Sequence, residues 1–319
     1  MARFARPAWH EGDAAAGEGV STDQDHLPRR LWWLLAGLTF AWGFNWTAMK
    51  VALGEVPPWT FRTLCLGFGS AVLFLALRLG GQRLAVPRSQ WGRLAMLAFF
   101  NITCWNVLIA FGMTMISSGR AAILAYTMPA LAIPLSVWIL GERLTPRKLT
   151  GLALGMAGLG LVLGEAGLGL GRAPVGSLLV LGAAASWALG VVLQKRYPMS
   201  MPAGAYSAWI MLLGGVPIFV CALAFDDLGV LRTVGLWPAL GVLYNVLIAF
   251  AWAHWAWIKL ATSVSVTVFS LSMLVIPVVG VISGMLFLGE RPSWAEYGAL
   301  GLVLGSLFSV AVPRRAARV

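Results

Sequence analysis

The sequence predicts an all-α integral membrane protein, with ten transmembrane helices arranged as two inverted five-helix repeats. Three observations lead to this fold class: few charges, ten long apolar stretches and an internal repeat. Of the 319 residues, 59% are hydrophobic and 11% are charged, whereas soluble domains carry about 25% charged residues. Because so few charges cannot cover the surface of a soluble protein of this size, the composition excludes a soluble enzyme.

Both ends of the chain are predicted to be short cytoplasmic tails. Residues 1–30 hold five of the twelve acidic residues and no apolar run, which predicts a disordered tail. They also lack the apolar run of about 7–15 residues that a secretory signal requires. Residues 313–319 form a second, basic tail.

Ten apolar stretches follow the N-terminal tail, and each is about as long as a transmembrane helix. A span needs roughly 20 apolar residues. The stretches lie at about 31–51, 59–79, 91–114, 120–140, 146–164, 176–194, 202–225, 237–258, 263–287 and 294–312. They lack the regular alternation of apolar and polar residues that barrel strands require, so helices are predicted.

The basic residues predict that both termini are cytoplasmic. With the N-terminus inside, fifteen Lys and Arg residues fall on the inner side of the membrane and six fall outside, apart from two in the N-terminal tail. Such an excess is typical of cytoplasmic loops. The net charge of +11 therefore indicates membrane topology, and nucleic acid is not expected as a partner.

Two pairs of matching segments indicate an internal repeat. Pro129 precedes Gly141 by twelve residues, and Pro277 precedes Gly289 by the same interval, at an offset of 148. A second pair of matches, each with Trp and Lys eight residues apart, is Trp42/Lys50 and Trp187/Lys195. We therefore expect a duplicated five-helix unit.

The predicted domains are a first repeat at 31–164 and a second repeat at 165–312. Because five is odd, the second repeat enters the membrane with the opposite polarity to the first. Inverted repeats of this kind are typical of secondary transporters, whose substrates bind near the membrane midplane between the repeats.

The first two helices and the fourth also carry a recognisable pattern. The first segment reads AWGFNWTAMKVALGEVPPWTFRTLCLG and contains a Trp-Gly start, Lys50, a proline pair at 57–58 and Arg62. Together with SSGRAAILAYTMPALAIPLSVWILGERLT in the fourth helix, it resembles the EamA domain of the drug/metabolite transporter superfamily. The resemblance spans about 31–312. The seventh helix has no residue matching Arg62, so a two-fold symmetric role for this arginine is not expected. Lys50, Arg62 and Lys195 lie near helix ends, where they either reach the aqueous interface or hold a substrate carboxylate at a cavity mouth.

The resemblance implies a ten-helix exporter or facilitator of small organic solutes in the bacterial inner (plasma) membrane. One bacterial branch exports aromatic and other amino acids, and the Trp-rich helices are similar to that branch. We expect export of aromatic or neutral amino acids by alternating access through a central cavity. The alternative is an exporter or flippase of another metabolite, drug or lipid-linked sugar. The expected partners are a small-molecule substrate and the bilayer, and the chain is expected to be a monomer or weak homodimer.

Uncharged polar and aromatic side chains predict the substrate-binding face. Trp42, Asn45 and Trp46 lie on one face of the first helix, and an amide facing lipid would be costly. The cavity-lining candidates are Trp42, Asn45, Trp46, Asn101, Trp105, Tyr126, Trp187, Tyr244, Asn245 and His254. The alternative for each is structural, since amides also hydrogen-bond neighbouring helices and tryptophans also lie at membrane interfaces.

Pro129 and Pro277 are candidate hinges, because a proline inside a helix removes one backbone hydrogen bond and permits a kink. The alternative is a static kink that only helps packing. Glu142 and Glu290 are predicted to form interfacial ion pairs or helix caps. Pairs of glycines four residues apart predict close helix packing; they are Gly151/Gly155, Gly160/Gly164 and Gly301/Gly305.

The distribution of acidic residues bears on the mechanism. No Asp or Glu lies in the middle of a predicted span, whereas proton-coupled carriers commonly use such groups. We therefore expect movement down a gradient, with His254 as the group that leaves proton coupling open. The sequence contains no Walker motif, and its three cysteines fall in three different spans. No catalytic site, metal or cofactor is predicted.

Overall fold

A computed structural model describes residues 28–168, 173–261, 263–264, 268 and 272–311. The predicted tail at 313–319 and nearly all of the tail at 1–30 lie outside these residues. Among the described residues the regular structure is helical and contains no strand, which confirms the all-α class.

The helices correspond closely to the ten predicted spans. We number them α1 Arg29–Ala52, α2 Pro58–Leu79, α3 Arg88–Met115, α4 Ser118–Leu140, α5 Pro146–Leu168, α6 Ala173–Arg196, α7 Ala203–Phe225, α8 Leu236–Tyr244 continuing through Asn245–Trp252 and Ala253–Ala261, α9 Val275–Leu288 and α10 Trp294–Ala311. The ninth span was predicted to begin at 263, but much of 262–274 lies outside the described residues.

Length and composition support a membrane-spanning chain. Within the described ranges, α2 to α8 each contain 20 to 28 residues that are apolar enough to cross a bilayer, and α9 and α10 are shorter apolar helices. Many large apolar side chains on the outer faces are exposed, such as Phe225, Leu286 and Trp294. A soluble protein rarely exposes so much apolar surface, whereas lipid solvates it.

The helices α1 and α6 run in opposite directions. Lys50, near the end of α1, donates hydrogen bonds to the carbonyls of Met113 and Ile116, beside the start of α4. Lys195, near the end of α6, pairs with Glu142, just after the end of α4. Since the two ends of α4 lie at opposite ends of the molecule, matching helices of the two halves are inverted.

The helix contacts follow the same inverted symmetry. Helix α1 packs against α8 and α9, just as α6 packs against α3 and α4. The remaining close pairs, α2 with α7 and α5 with α10, join each helix to its own counterpart. The fold is therefore a ten-helix membrane protein of two inverted five-helix repeats, as predicted. The division of the chain at residues 164 and 165 stays a prediction.

The two Gly-Glu segments end their helices in the same way. Gly141 and Gly289 follow α4 and α9 with φ of +67° and +65°, a left-handed conformation that glycine adopts without steric cost. The next N–H groups, of Glu142 and Glu290, then donate back to the helix carbonyls of Ser136 and Gly284. This geometry is a common helix C-cap, and it fixes the position of each glutamate.

Helix α4 is broken near its middle. Its first part is Ser118–Ala125 and its second part is Met128–Leu140, with Tyr126 and Thr127 in a turn between them. Pro129 lies in the first turn of the second part, where its missing N–H costs little. The Thr127 hydroxyl donates to the Leu124 carbonyl at 2.7 Å, so one carbonyl at the break is satisfied locally.

The glycine pairs differ in what they do. Gly151 of α5 packs closely against α10, and Gly155 packs against both α4 and α10. The Ser306 hydroxyl donates to the Gly151 carbonyl at 2.6 Å. The prediction of close packing is correct for this pair. It is wrong for Gly160 and Gly164, where an added Cβ would meet no other atom within 4 Å. The prediction is also wrong for Gly301, where an added Cβ would have no neighbour within 4 Å, whereas Gly305 lies against α5.

Candidate functional site

The polar face of α1 is packed into the molecule. Trp46 is 6% exposed and Met49 is 1% exposed, so both belong to the core. Trp42 is partly buried, and its indole N–H donates to the Ala249 carbonyl of α8 at 3.2 Å. The side-chain oxygen of Asn45 is buried and has no hydrogen-bond partner among the described residues. On this face, Asn45 therefore retains unused hydrogen-bonding capacity.

Helices α3 and α8 contain matching irregular segments. Phe99–Cys104 in α3 and Asn245–Trp252 in α8 adopt the wider π-helical form. Such segments interrupt regular backbone bonding and occur frequently at functional sites. Asn101 lies in the first segment and Asn245 begins the second, so the two halves place an amide in equivalent irregular backbone.

The amides of these segments are deeply buried. Asn101 is 4% exposed and Asn245 is fully buried. Asn106 and Asn245 each donate one hydrogen bond to a carbonyl of their own helix. The side-chain oxygens of all three have no partner among the described residues. A buried polar atom without a partner typically costs about 1–3 kcal/mol.

Asn45 and Asn245 lie at the same level of the antiparallel α1–α8 interface. The contacts on either side of that level are Gly241 against Ala48, and the Trp42 indole with the Ala249 carbonyl. In the other half, Asn101 lies against Gly190 of α6, where an added Cβ would overlap its amide. Gly190 occupies the position in α6 that Asn45 occupies in α1, at the offset set by the two Trp-Lys pairs.

Two aromatic candidates meet at the α3–α6 interface. The rings of Trp105 and Trp187 lie 5.1 Å apart in a tilted arrangement. One residue before Trp187, the Ser186 hydroxyl donates to the Phe100 carbonyl at 2.8 Å, within the irregular part of α3. The sequence placed these tryptophans on one cavity, and the structure brings them into direct contact, one turn from Asn101.

Of the other two α8 candidates, Tyr244 lines a separate groove and His254 packs among aromatic rings. An apolar groove of about 670 Å³ lies between α1, α8 and α9, and of the predicted residues Tyr244 lines it. The Tyr244 hydroxyl donates to the Ala41 carbonyl at 2.8 Å. His254 stacks on Phe250 and meets Trp42 edge-on. Among the described residues, the ten candidates therefore divide between the amide levels, this groove and the aromatic contacts, and their shared lining of a substrate cavity stays a prediction.

Of the remaining candidates, Tyr126 lies in the turn that breaks α4. Pro277 lies in the first turn of the described part of α9 and is buried, which matches the position of Pro129 in the second part of α4. Both prolines therefore follow the point where a regular helix begins.

One end of the molecule is held by a cluster of charged groups, which we call the Glu290 end. The Glu290 carboxylate accepts hydrogen bonds from the Ser118 N–H, the Ser118 hydroxyl and the Gly119 N–H, at 2.7, 2.9 and 3.1 Å. Arg120 forms ion pairs of 2.6 Å with Glu165 of α5 and Glu296 of α10. The start of α4 is thus tied to α5, α9 and α10.

The opposite end, which we call the Glu142 end, is held by a smaller and more exposed cluster. Glu142 pairs with Lys148 of α5 at 2.6 Å and with Lys195 of α6. Hydrogen bonds from Lys148 and Lys195 lower the pKa of Glu142 from its usual range to about 2. The Lys195 side chain is 69% exposed, whereas Arg120 at the other end is 14% exposed. The prediction that both glutamates form ion pairs or caps is confirmed, with partners that the sequence did not identify.

Arg62 is a functional candidate that the predicted site omits. It lies in α2 and is 3% exposed. One guanidinium N–H group donates to the Met49 sulfur at 2.7 Å, while Nε has no partner among the described residues. In the sequence, Arg62 follows a proline pair by four residues, and this spacing places the arginine inside the second membrane helix.

The described part of the chain contains neither a candidate metal site nor a disulfide. No group of three His, Cys, Asp or Glu side chains there is arranged to hold a metal ion. Cys65, Cys104 and Cys221 are free thiols.

A helical membrane protein of two inverted repeats, with uncharged polar groups buried between its helices, has the architecture of a secondary transporter. The comparisons with known proteins agree. The EamA-like transporter family matches residues 31–164 and 174–312. The chain therefore belongs to the EamA-like transporter family, a family of transporters and not of enzymes. The resemblance carried by the first, second and fourth helices is confirmed.

Its relatives carry transporter names. The chain is 25% identical over 276 residues to the uncharacterized transporter YoaV of Bacillus subtilis, covering 86% of this chain and 91% of that protein. It is 27% identical over 278 residues to a probable amino-acid metabolite efflux pump of Escherichia coli, covering 84% and 90%. A crystal structure with 21% identity matches 89% of this chain and 97% of its own, with a TM-score of 0.63, which supports the fold.

Proposed function

We propose that this protein exports amino acids, most of all aromatic and neutral ones, by alternating access between its two repeats. The observation that carries the proposal is the set of buried amide oxygens without partners among the described residues, on α1, α3 and α8. Each is costly in a membrane interior. A substrate ammonium group would offset that cost by donating hydrogen bonds to them.

The aromatic groups beside the amides support the same substrate class. Trp105 and Trp187 form a pair one turn from Asn101, and aromatic rings bind flat apolar side chains through stacked or edge-on contacts. Two relatives named as probable amino-acid metabolite efflux pumps, from Escherichia coli and Salmonella typhimurium, add to this support.

The two ends of the molecule support alternating access. The Glu290 end has a network that joins four helices, and the Glu142 end has a smaller and more exposed one. In this proposal the N-terminus is cytoplasmic, so the Glu290 end is the outer gate and is closed. Opening it would require the Glu290 and Arg120 contacts to break, while the Glu142 contacts and the turns before Pro129 and Pro277 adjust.

Proton coupling through His254 is the alternative mechanism within the same site. His254 lies between Trp42 and Phe250, with Nδ1 3.3 Å from the Ala249 carbonyl. A pH gradient imposed on vesicles tests it directly. Accumulation of substrate that His254→Ala abolishes would establish coupling, and equal distribution in both proteins would establish facilitated movement.

The substrate is tested by counterflow in reconstituted vesicles. Vesicles loaded with an unlabelled amino acid are diluted into a trace of its labelled form, across a panel of aromatic, neutral and charged amino acids. We expect transient accumulation for aromatic and neutral members. Absence of counterflow for every amino acid, together with counterflow of another metabolite or a lipid-linked sugar, would contradict the proposed substrate class.

A further inference from the structure

Arg62 is a buried cation for which the described chain supplies no anion. The acidic residues of the described ranges each bind elsewhere. Their partners are Gly235 for Glu55, Lys148 and Lys195 for Glu142, Arg120 for Glu165, Thr60 for Asp226, Gly229 for Asp227, Ser118 and Gly119 for Glu290, and Arg120 and Ser293 for Glu296. None of these carboxylates forms an ion pair with the Arg62 guanidinium.

The contacts that Arg62 does make are weak ones. Its guanidinium donates to the Met49 thioether, which is a weak acceptor, and lies 5.1 Å from the centre of the Phe61 ring. Nε is buried and without a partner among the described residues. An arginine in such surroundings is expensive to keep, because the membrane interior and protein core do not solvate its charge.

The neighbouring cation is already engaged. Lys50, next to Met49 on α1, directs its ammonium group to the Met113 and Ile116 carbonyls. Arg62 therefore differs from Lys50 in having a buried donor, Nε, without a partner among the described residues. The two side chains lie on adjacent helices at the Glu290 end.

We propose that Arg62 binds the carboxylate of the transported amino acid, an inference that rests on the proposed function. The planar guanidinium matches a carboxylate in a bidentate pair, the strongest arrangement of charged hydrogen bonds in proteins. Together with the unpartnered amide oxygens, it provides complementary groups for both charges of a zwitterion. Substrate binding would then supply the counter-ion that the described chain lacks.

The site is confined to one repeat. Pro57 immediately precedes α2 and Pro202 immediately precedes α7, at the offset of 145 that also relates the two Trp-Lys pairs. The same offset places Ser207 at the position of Arg62. A short neutral side chain therefore replaces the arginine in the second repeat. The substrate carboxylate would then meet this guanidinium in the first repeat only, at the Glu290 end.

Binding to the purified full-length protein tests the proposal through substrate analogues. Tryptophan is compared with tryptamine, which lacks the carboxylate, and with tryptophanamide, which carries a neutral amide there. We expect the wild-type protein to prefer tryptophan, and Arg62→Gln to reduce its affinity for tryptophan about tenfold or more while leaving tryptamine unchanged. Arg62→Lys keeps the charge without the planar guanidinium, so its affinity for tryptophan should lie between those of the wild-type and Arg62→Gln proteins. An Arg62→Gln protein that keeps the wild-type preference would overturn the proposal.

Stability without substrate separates this role from a structural one. Arg120→Gln is the matched variant, because Arg120 has two carboxylate partners and Arg62 has none in the described part of the chain. We expect Arg120→Gln to lower the melting temperature in detergent and Arg62→Gln to leave it unchanged or raise it. An equal loss in both variants would show that Arg62 is structural and overturn the proposal.

Failure of the proposed function would be visible separately. It would appear as wild-type protein that binds and exchanges no amino acid. Titration with acetate and with inorganic phosphate then decides the role of Arg62. Binding that Arg62→Gln abolishes would support an anion site serving a different substrate or a free ion, and binding that is unaffected would overturn it.

Discussion

The carboxylate of Glu290, just after α9, caps the first turn of α4 by accepting hydrogen bonds from the N–H and hydroxyl of Ser118. These two residues belong to different repeats and are 172 positions apart in the chain. Ser118 is completely buried. The contact therefore closes the interface between the repeats at one end of the molecule.

Replacing Glu290 by glutamine should destabilise the protein. Hydrogen bonds to a charged acceptor contribute about 1.5–3 kcal/mol, and a glutamine side chain offers one carbonyl oxygen in place of two carboxylate oxygens. The matched variant is Glu142→Gln, because the lysine partners of Glu142 are more exposed. Melting temperatures in detergent should fall clearly for Glu290→Gln and little for Glu142→Gln. The reverse order would contradict the assignment of the tighter gate to the Glu290 end.

The Glu142 ion pairs should respond to acid in a defined range. Since folding lowers the pKa of Glu142 from 4.5 to about 2, its contribution to stability is present above the unfolded pKa and is lost as pH falls through the folded pKa. The difference in melting temperature between wild type and Glu142→Gln should therefore be constant near neutral pH and shrink between pH 4.5 and about 2. Because this pair is partly exposed, high salt should also reduce the difference. A difference independent of pH would contradict the ion pairs.

Two glycines of α5 should tolerate alanine very differently. A Cβ at Gly155 would overlap Ala130 of α4 and lie 3.1 Å from the Ser306 hydroxyl, whereas a Cβ at Gly160 has no neighbour within 4 Å. Overpacking typically costs about 1–3 kcal/mol, and alanine favours helix more than glycine. Gly155→Ala should lower the melting temperature and Gly160→Ala should not. Equal effects would show that the packing around Gly155 is looser than described.

Gly190 should be required for the position of Asn101. A Cβ at Gly190 would overlap the Asn101 amide, so Gly190→Ala should displace that amide and reduce substrate exchange. The control is Gly182→Ala in the same helix, where the nearest atom is the end of a leucine side chain at 3.5 Å. The two variants are compared by their rates of substrate exchange in vesicles, divided by the amount of folded protein. Full activity of Gly190→Ala would argue that Asn101 does not contact substrate.

The sequence predicts the fold almost completely because the membrane imposes its requirements on every residue. A run of about 20 apolar residues in lipid has few alternatives to a helix, and the offset of 148 between Pro129 and Pro277 identifies the inverted repeat. The structure adds that Gly141 and Gly289, which the same offset relates, each end a helix in the left-handed conformation.

The site was predicted less completely, because it depends on long-range contacts. Nothing local to Asn101 or Asn245 indicates that their oxygens lack partners. Periodicity places Trp46 on the predicted binding face, but its burial in the core is visible only in the structure. The sequence left two interpretations of Arg62 open, because an arginine near a helix end usually reaches the aqueous interface but could also hold a substrate carboxylate at a cavity mouth. Its burial, and the engagement of every described carboxylate elsewhere, are visible only in three dimensions.

The most direct test of the central claim is exchange of labelled tryptophan by wild type and Asn245→Leu in reconstituted vesicles. Asn245 is fully buried, and its oxygen has no partner among the described residues, so leucine should preserve the fold and remove the substrate contact. Leu247→Ala, on the exposed face of the same helix, is the control. We expect exchange by wild type and Leu247→Ala and its loss in a stably folded Asn245→Leu protein. Undiminished exchange by Asn245→Leu would contradict a substrate path through the buried amides.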